Sequence, residues 1–169
     1  HLTIAQQVLE YYPCDELWFL PNYGQSFEKP AAPVEDRLAM TNLLRLPKTA
    51  VSTIEIDNKL SGQTIELVPL LPPGNKYTFL IGSDQLPSFH LWGDRKELLT
   101  KMKFLVFPRY GFPTDPLYDN MAVLQHGNLI VSNISSTKIR KRVAEGLSVR
   151  LFVPEGVEEY IREHGLYKE

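Results

Sequence analysis

Tyr77-Thr78-Phe79-Leu80-Ile81-Gly82-Ser83-Asp84 decides the fold of this chain. The first five residues form a short run rich in apolar and β-branched side chains, which reads as a strand buried on both faces, and Gly82 ends it. In an open parallel sheet, ligands bind beyond the carboxyl ends of the strands. That makes Gly82 a place where a ligand can approach the backbone and Asp84 an acceptor for ribose hydroxyls. The same three residues also suit a plain turn leading into a capped helix, so the triplet by itself leaves both readings open.

Working outward, strands alternate with helices. Upstream, Leu2, Ile4-Ala5, Val8-Leu9 and Tyr12 have helical spacing that Pro13 stops, and Leu17–Leu20 is a short apolar strand. A Gly- and Pro-rich loop covers residues 22–33, and a helix starts at Val34 with Leu38, Met40, Leu43 and Leu44 facing inward. Val51–Ile56 alternates and is β-branched, predicting a strand, and Thr64–Val68 predicts one or two helical turns before Pro69. Downstream, a helix over Arg95–Met102 precedes a strand over Phe104–Phe107, and a last helix begins near Pro154 with Val157, Tyr160 and Ile161 inward. This order predicts one α/β domain over residues 1–169: a doubly wound, mostly parallel, Rossmann-like sheet with helices on both faces.

Bulk properties narrow the function. The chain has 169 residues, 43% of them hydrophobic and 22% charged, which suits a folded domain rather than a disordered one. A net charge of -2 gives no general attraction to nucleic acid or to an anionic membrane. The single cysteine, Cys14, offers neither a disulfide nor a thiolate cluster, so a reducing cytoplasm is the simplest setting. No apolar stretch approaches the roughly 18 residues that span a bilayer. His90 and His126 have no partners at metal-ligand spacing, and His164 lies with Glu158, Glu159 and Glu163 on a solvated helix face, so no protein-held metal site is expected.

The sharpest chemical signal is Ile134-Ser135-Ser136-Thr137-Lys138-Ile139-Arg140. Leu129-Ile130-Val131 leads as an extended run into small hydroxyl residues that open a helix. A first helical turn has free N–H groups and the positive end of the helix dipole, so it holds anions. Hydroxyls at Ser136 and Thr137 add donors, and Arg140 lies one turn on, within reach of the same anion. The arrangement suits a triphosphate; an ordinary Ser cap beside a solvated basic face fits the letters as well. Three further candidates are single residues. Trp92 follows Asp84 by eight positions and suits either stacking on a heteroaromatic ring or helix–sheet packing. His1 opens the first helix, and Lys29 lies in the loop after the first strand, where each suits a phosphate contact or plain solvent exposure.

Taken in order, His1-Leu2, Phe19-Leu20-Pro21-Asn22, Arg37-Leu38-Ala39-Met40, Leu80-Ile81-Gly82-Ser83-Asp84 with Trp92, the 134–140 element and the closing Tyr160–Tyr167 resemble the nicotinate mononucleotide adenylyltransferase family of the nucleotidylyltransferase superfamily. The resemblance implies direct adenylyl transfer from ATP to a pyridine mononucleotide, with Mg²⁺ accompanying the ATP and no covalent enzyme intermediate. It implies catalytic roles for His1 and Arg140. ATP contacts would come from His1, Lys29, Gly82, Asp84, Ser135, Ser136, Thr137 and Arg140, and acceptor contacts from Thr64, Trp92 and Arg109. A homo-oligomer is compatible with it. The family's first strand, its glycine-rich turn and the first His of its H-x-G-H signature would precede His1, so this chain is expected to lack the central strand of the sheet. Glu28 stands where the family usually has His before the loop Lys. Gly62–Leu67 replaces S-Y-T-I-D-T, and Arg109-Tyr110-Gly111-Phe112 replaces an Arg-Pro-Gly-aromatic turn. These departures leave other acceptors open, such as nicotinamide mononucleotide or phosphopantetheine, together with a non-catalytic nucleotide-binding role.

Overall fold

A computed structural model describes residues 1–24 and 31–168. Its strands are β1 (Leu17–Phe19), β2 (Thr49–Val51), β3 (Thr78–Gly82), β4 (Lys103–Phe107) and β5 (Met121–Val123). Its α-helices are α1 (Leu2–Tyr11), α2 (Val34–Asn42), α3 (Ile54–Asp57), α4 (Thr64–Leu67), α5 (Arg95–Lys101), α6 (Ser136–Ala144) and α7 (Glu155–Glu163), with a 3-10 helix over Ser83–Leu91. Every strand pair is parallel: β1 lies beside β2 in one sheet, and β3, β4 and β5 lie side by side in another.

The larger sheet is covered on both faces, as the alternation of β4 requires. Phe104 and Val106 point into one cluster with Ile81, Leu86, Phe89, Leu98 and Met102, under the 3-10 helix and α5. Leu105 and Phe107 point the other way, against Val8 of α1 and Leu124. Burying each of these side chains contributes about 1.5–3 kcal/mol, so the β3–β4 pair anchors everything mounted on its carboxyl ends. At the other end of the chain, the Tyr160 hydroxyl of α7 donates to Asp36 Oδ1 of α2 at 2.8 Å.

Two expectations need correction. The strand over Val51–Ile56 ends at Val51, and residues 54–57 turn into α3. There the Asp57 N–H bonds the Thr53 carbonyl at 2.8 Å and the Thr53 hydroxyl donates to Asp57 Oδ2 at 2.7 Å, so local bonds outweigh β-branching. The inward side of α2 is half-buried throughout, with no residue fully enclosed. The extended run at residues 129–131 joins neither sheet: Ile130 is 66% exposed, and its backbone pairs with a side chain of α1. β5, inside a polar stretch, went unpredicted.

Candidate nucleotide site

β3 and β4 end side by side, with Gly82 opposite Phe107 in the ladder. Gly82 leaves room for its neighbours: a β-carbon there would displace Asp84 Oδ1 from its place and sit 3.1 Å from Arg109 Cγ. Asp84, at the start of the 3-10 helix, approaches the Arg109 guanidinium, with Oδ1 3.9 Å from Nε. The Arg109 side chain, 17% exposed, crosses to the approach of α6 and donates from Nη2 to the Ile134 carbonyl at 2.7 Å. Beyond Arg109 the chain folds back in a tight turn, with the Phe112 N–H on the Arg109 carbonyl at 3.1 Å and Gly111 at φ +84°.

α6 starts as its sequence dictates. Ser135 is extended at φ -142°, and its hydroxyl accepts from the Lys138 N–H at 3.3 Å. Ser136 and Thr137 occupy the first turn and are exposed, and Arg140 donates from Nη2 to Thr137 Oγ1 at 3.3 Å, which folds it back over the turn. Ile139 is the helix's buried residue. His1 precedes α1 and accepts the Ala5 N–H on its carbonyl at 2.8 Å. Its backbone nitrogen lies close enough to Arg109 to feel that positive charge, although the residue as a whole is exposed. His1, Gly82, Asp84, Arg109 and the approach to the α6 N-terminus therefore converge. Arg109, expected on the acceptor, stands among the residues expected on ATP.

Trp92 and Thr64 lie together elsewhere. Trp92 ends the 3-10 helix that begins one residue after Gly82, and its ring meets Phe89 at 4.9 Å and Phe79 and Phe104 at 6.3 Å. Its Nε1 is buried with no hydrogen-bond partner among the described residues. Gly93 sits against the Gln63 side-chain amide, which brings the start of α4, and so Thr64, beside it. A depression of about 390 Å³ opens here, lined by His90, Trp92, Asp94, Arg95, Lys96 and Glu97. Lys29 lies outside the described residues.

Four residues at or near this face were not singled out from sequence for what they do. Ser83 is fully buried and bonds to the Arg109 turn. Gln7, 5% exposed, donates to the Ile130 carbonyl at 3.1 Å and accepts the Ile130 N–H at 2.5 Å. Arg37 donates to the carbonyls of Asn22, Tyr23 and Ala32, clamping the chain after β1. Glu55, 6% exposed, takes the Tyr23 N–H, while its Oε2 has no partner among the described residues. Gln7 had a visible signal, as a polar residue inside the apolar stripe of Ile4 and Val8. The other three act through tertiary contacts that leave no local pattern.

A parallel α/β sheet that brings a G-x-D turn, an arginine and a hydroxyl-rich helix N-terminus together beyond its strand ends has the make-up of a nucleotide-binding protein. The cytidylyltransferase-like family model matches residues 1–142, and the chain belongs to that family. A probable nicotinate-nucleotide adenylyltransferase from Bordetella avium is 33% identical over 178 residues, covering 99% of this chain and 90% of the relative. One from Lactiplantibacillus plantarum is 35% identical over 176 residues, covering 100% and 82%. The fold is shared with Plasmodium falciparum nicotinic acid mononucleotide adenylyltransferase complexed with NaAD, at a TM-score of 0.76 and 18% identity over 97% of this chain and 88% of that one. The same enzyme complexed with APC gives a TM-score of 0.68 at 16% identity, covering 99% and 89%.

Proposed function

We propose that this protein transfers the adenylyl group of ATP to nicotinate mononucleotide, a step of NAD biosynthesis that yields nicotinate adenine dinucleotide and pyrophosphate. A phosphate oxygen of the mononucleotide attacks the α-phosphorus in line. The bond to the bridging oxygen breaks, and its electron pair leaves with pyrophosphate. No side chain needs to become a nucleophile; the protein's work is orientation and charge neutralisation. The observation that carries the reading is the Arg109 crossing, which ties the Gly82-Ser83-Asp84 turn to the α6 approach through the Ile134 carbonyl. Curated relatives of the same name, at 33% and 35% identity over essentially the whole chain, support it.

In this reading the first-turn N–H groups of α6, the hydroxyls of Ser135, Ser136 and Thr137, and Arg140 receive the triphosphate, with His1 and Lys29 adding donors. Gly82 and Asp84 line the nucleotide cleft. Thr64 and Trp92 border the acceptor, and Arg109 stands between the two ends. Mg²⁺ fits the donor set: it keeps most of its shell from phosphates and water and needs one or two carboxylates. Asp84, with 30% of its side chain exposed, is a carboxylate placed to supply one. When bound, the ion would withdraw charge from the phosphates. Among the described residues no helix is long and apolar enough to cross a membrane, and the reading places the reaction in the cytoplasm.

The test is pyrophosphate release from ATP and Mg²⁺ with nicotinate mononucleotide, nicotinamide mononucleotide or phosphopantetheine as acceptor. Release with nicotinate mononucleotide well above the other two is expected. Preference for another acceptor would reassign the substrate, and ATP binding without release would mark a nucleotide-binding role.

A further inference from the structure

We infer that Ser83 is a positioning residue for Arg109: its buried hydroxyl sets the angle at which that arginine reaches into the nucleotide site. This rests on the adenylyl-transfer reading above, and it starts from an accident of the ladder. β3 and β4 pair as far as Gly82 and Phe107. The next residue of the β4 chain is Pro108, which has no N–H, so the backbone ladder stops there. One residue later the Arg109 N–H needs an acceptor, and the strand opposite has already turned into the 3-10 helix.

Ser83 Oγ fills that place. It accepts the Arg109 N–H at 2.9 Å and donates to the Phe112 carbonyl at 3.2 Å. Residues 109 and 112 also bridge each other, so one hydroxyl closes the open side of the turn as a bound water would. Ser83 is 0% exposed, so its hydroxyl has these two backbone groups and no solvent to bond. Its neighbour Asp84 approaches the Arg109 side chain, a β-carbon added at Gly82 would press on Arg109 Cγ, and the guanidinium ends on the Ile134 carbonyl. The hydroxyl therefore holds the backbone from which Arg109 spans to the α6 approach.

The test compares the wild-type chain with Ser83→Ala, Ser83→Thr, Arg109→Ala and the Ser83→Ala/Arg109→Ala double variant. Without the hydroxyl, kcat/KM for ATP should fall roughly tenfold, since two part-buried backbone groups lose their shared partner and the turn shifts. With Arg109 already truncated, the same change should cost less than about twofold, because the path to the site is gone. The fall in melting temperature should be equal in both backgrounds, since the backbone bonds are the same. Ser83→Thr, which keeps the oxygen, should recover most of the activity. Amide exchange gives a readout that needs no turnover: the Arg109 N–H should exchange faster in Ser83→Ala than in wild type. An equal activity loss with and without the Arg109 side chain, or unchanged exchange at Arg109, would overturn the inference. A wild-type protein that releases no pyrophosphate with any acceptor would sink the functional reading instead, leaving the exchange comparison to judge Ser83.

Discussion

The two ends of the candidate site are built on opposite plans. Around Arg109 and α6 the side chains are polar and half-open: Ser136 and Thr137 face solvent and Arg140 makes one long bond to a neighbouring hydroxyl. Around Trp92 the ring is wedged among Phe79, Phe89 and Phe104 and belongs to the packed core, with one edge on the shallow depression. The polar end has spare donors that cost little to leave solvated and gain much from an anion. The aromatic end has no slack, so any ligand there uses a surface that already holds the fold together. A change at the first end should therefore be read in catalysis, and a change at the second in stability.

Trp92→Ala gives the largest effect. Emptying a ring from this cluster should cost about 3–5 kcal/mol, visible as a large drop in melting temperature. Trp92→Phe keeps the ring contacts and removes the unpartnered Nε1, so it should melt close to wild type. If Trp92→Phe instead raises KM for nicotinate mononucleotide with ATP unaffected, the indole serves the acceptor directly and the comparison needs redrawing.

Arg140→Ala is the counterpart at the polar end. A charge-assisted bond is worth about 1.5–3 kcal/mol, which predicts a ten- to hundredfold loss in ATP use with little change in melting temperature. A destabilised protein with normal ATP kinetics would show that Arg140 braces the helix rather than the phosphates.

How much of this was readable beforehand follows from the range of each interaction. α1, β3, β4 and α6 were legible because periodicity and the Ser135 cap are local, and the pairing of Gly82 with Asp84 at a strand end followed from the sheet type. β5 was not: three residues inside a polar stretch carry too little pattern, and their pairing with β4 defines them. The Ser83 hydroxyl acts across 26 and 29 residues of chain, a distance no spacing rule spans. Trp92 was legible as an aromatic shortly after the strand end, but its packing on the core depends on three phenylalanines from three different elements.

A smaller effect probes how the polar end is hung on α1. Gln7 grips both backbone groups of Ile130, four residues before the Ile134 carbonyl that receives Arg109. Gln7→Leu leaves those groups to water, since Ile130 is mostly exposed, and should cost on the order of 1 kcal/mol. A loss of ATP affinity larger than the loss of stability would show that this tether aligns α6.

The smallest effect fades as pH falls and tests whether the polar plan extends to the β1–β2 sheet. Burial raises the Glu55 carboxyl above its ordinary value; the Tyr23 N–H and Arg37 pull it back, and Glu66 pushes it up again. A carboxyl with a higher pKa in the folded state binds its proton more tightly there. Its contribution to stability is thus complete below the unfolded value and fades as pH rises through the folded one. At neutral pH the buried charge is a net cost. Glu55→Gln keeps an acceptor for the Tyr23 N–H and removes that charge, so it should melt higher than wild type near about pH 7.5, with the gap closing on acidification toward about pH 4. Melts across that range decide it. A variant less stable near neutral pH, with the deficit closing on acidification, would mean that the charge on Glu55 is wanted by Arg37, and that the clamp on the chain after β1 is an ion pair rather than a tolerated burial.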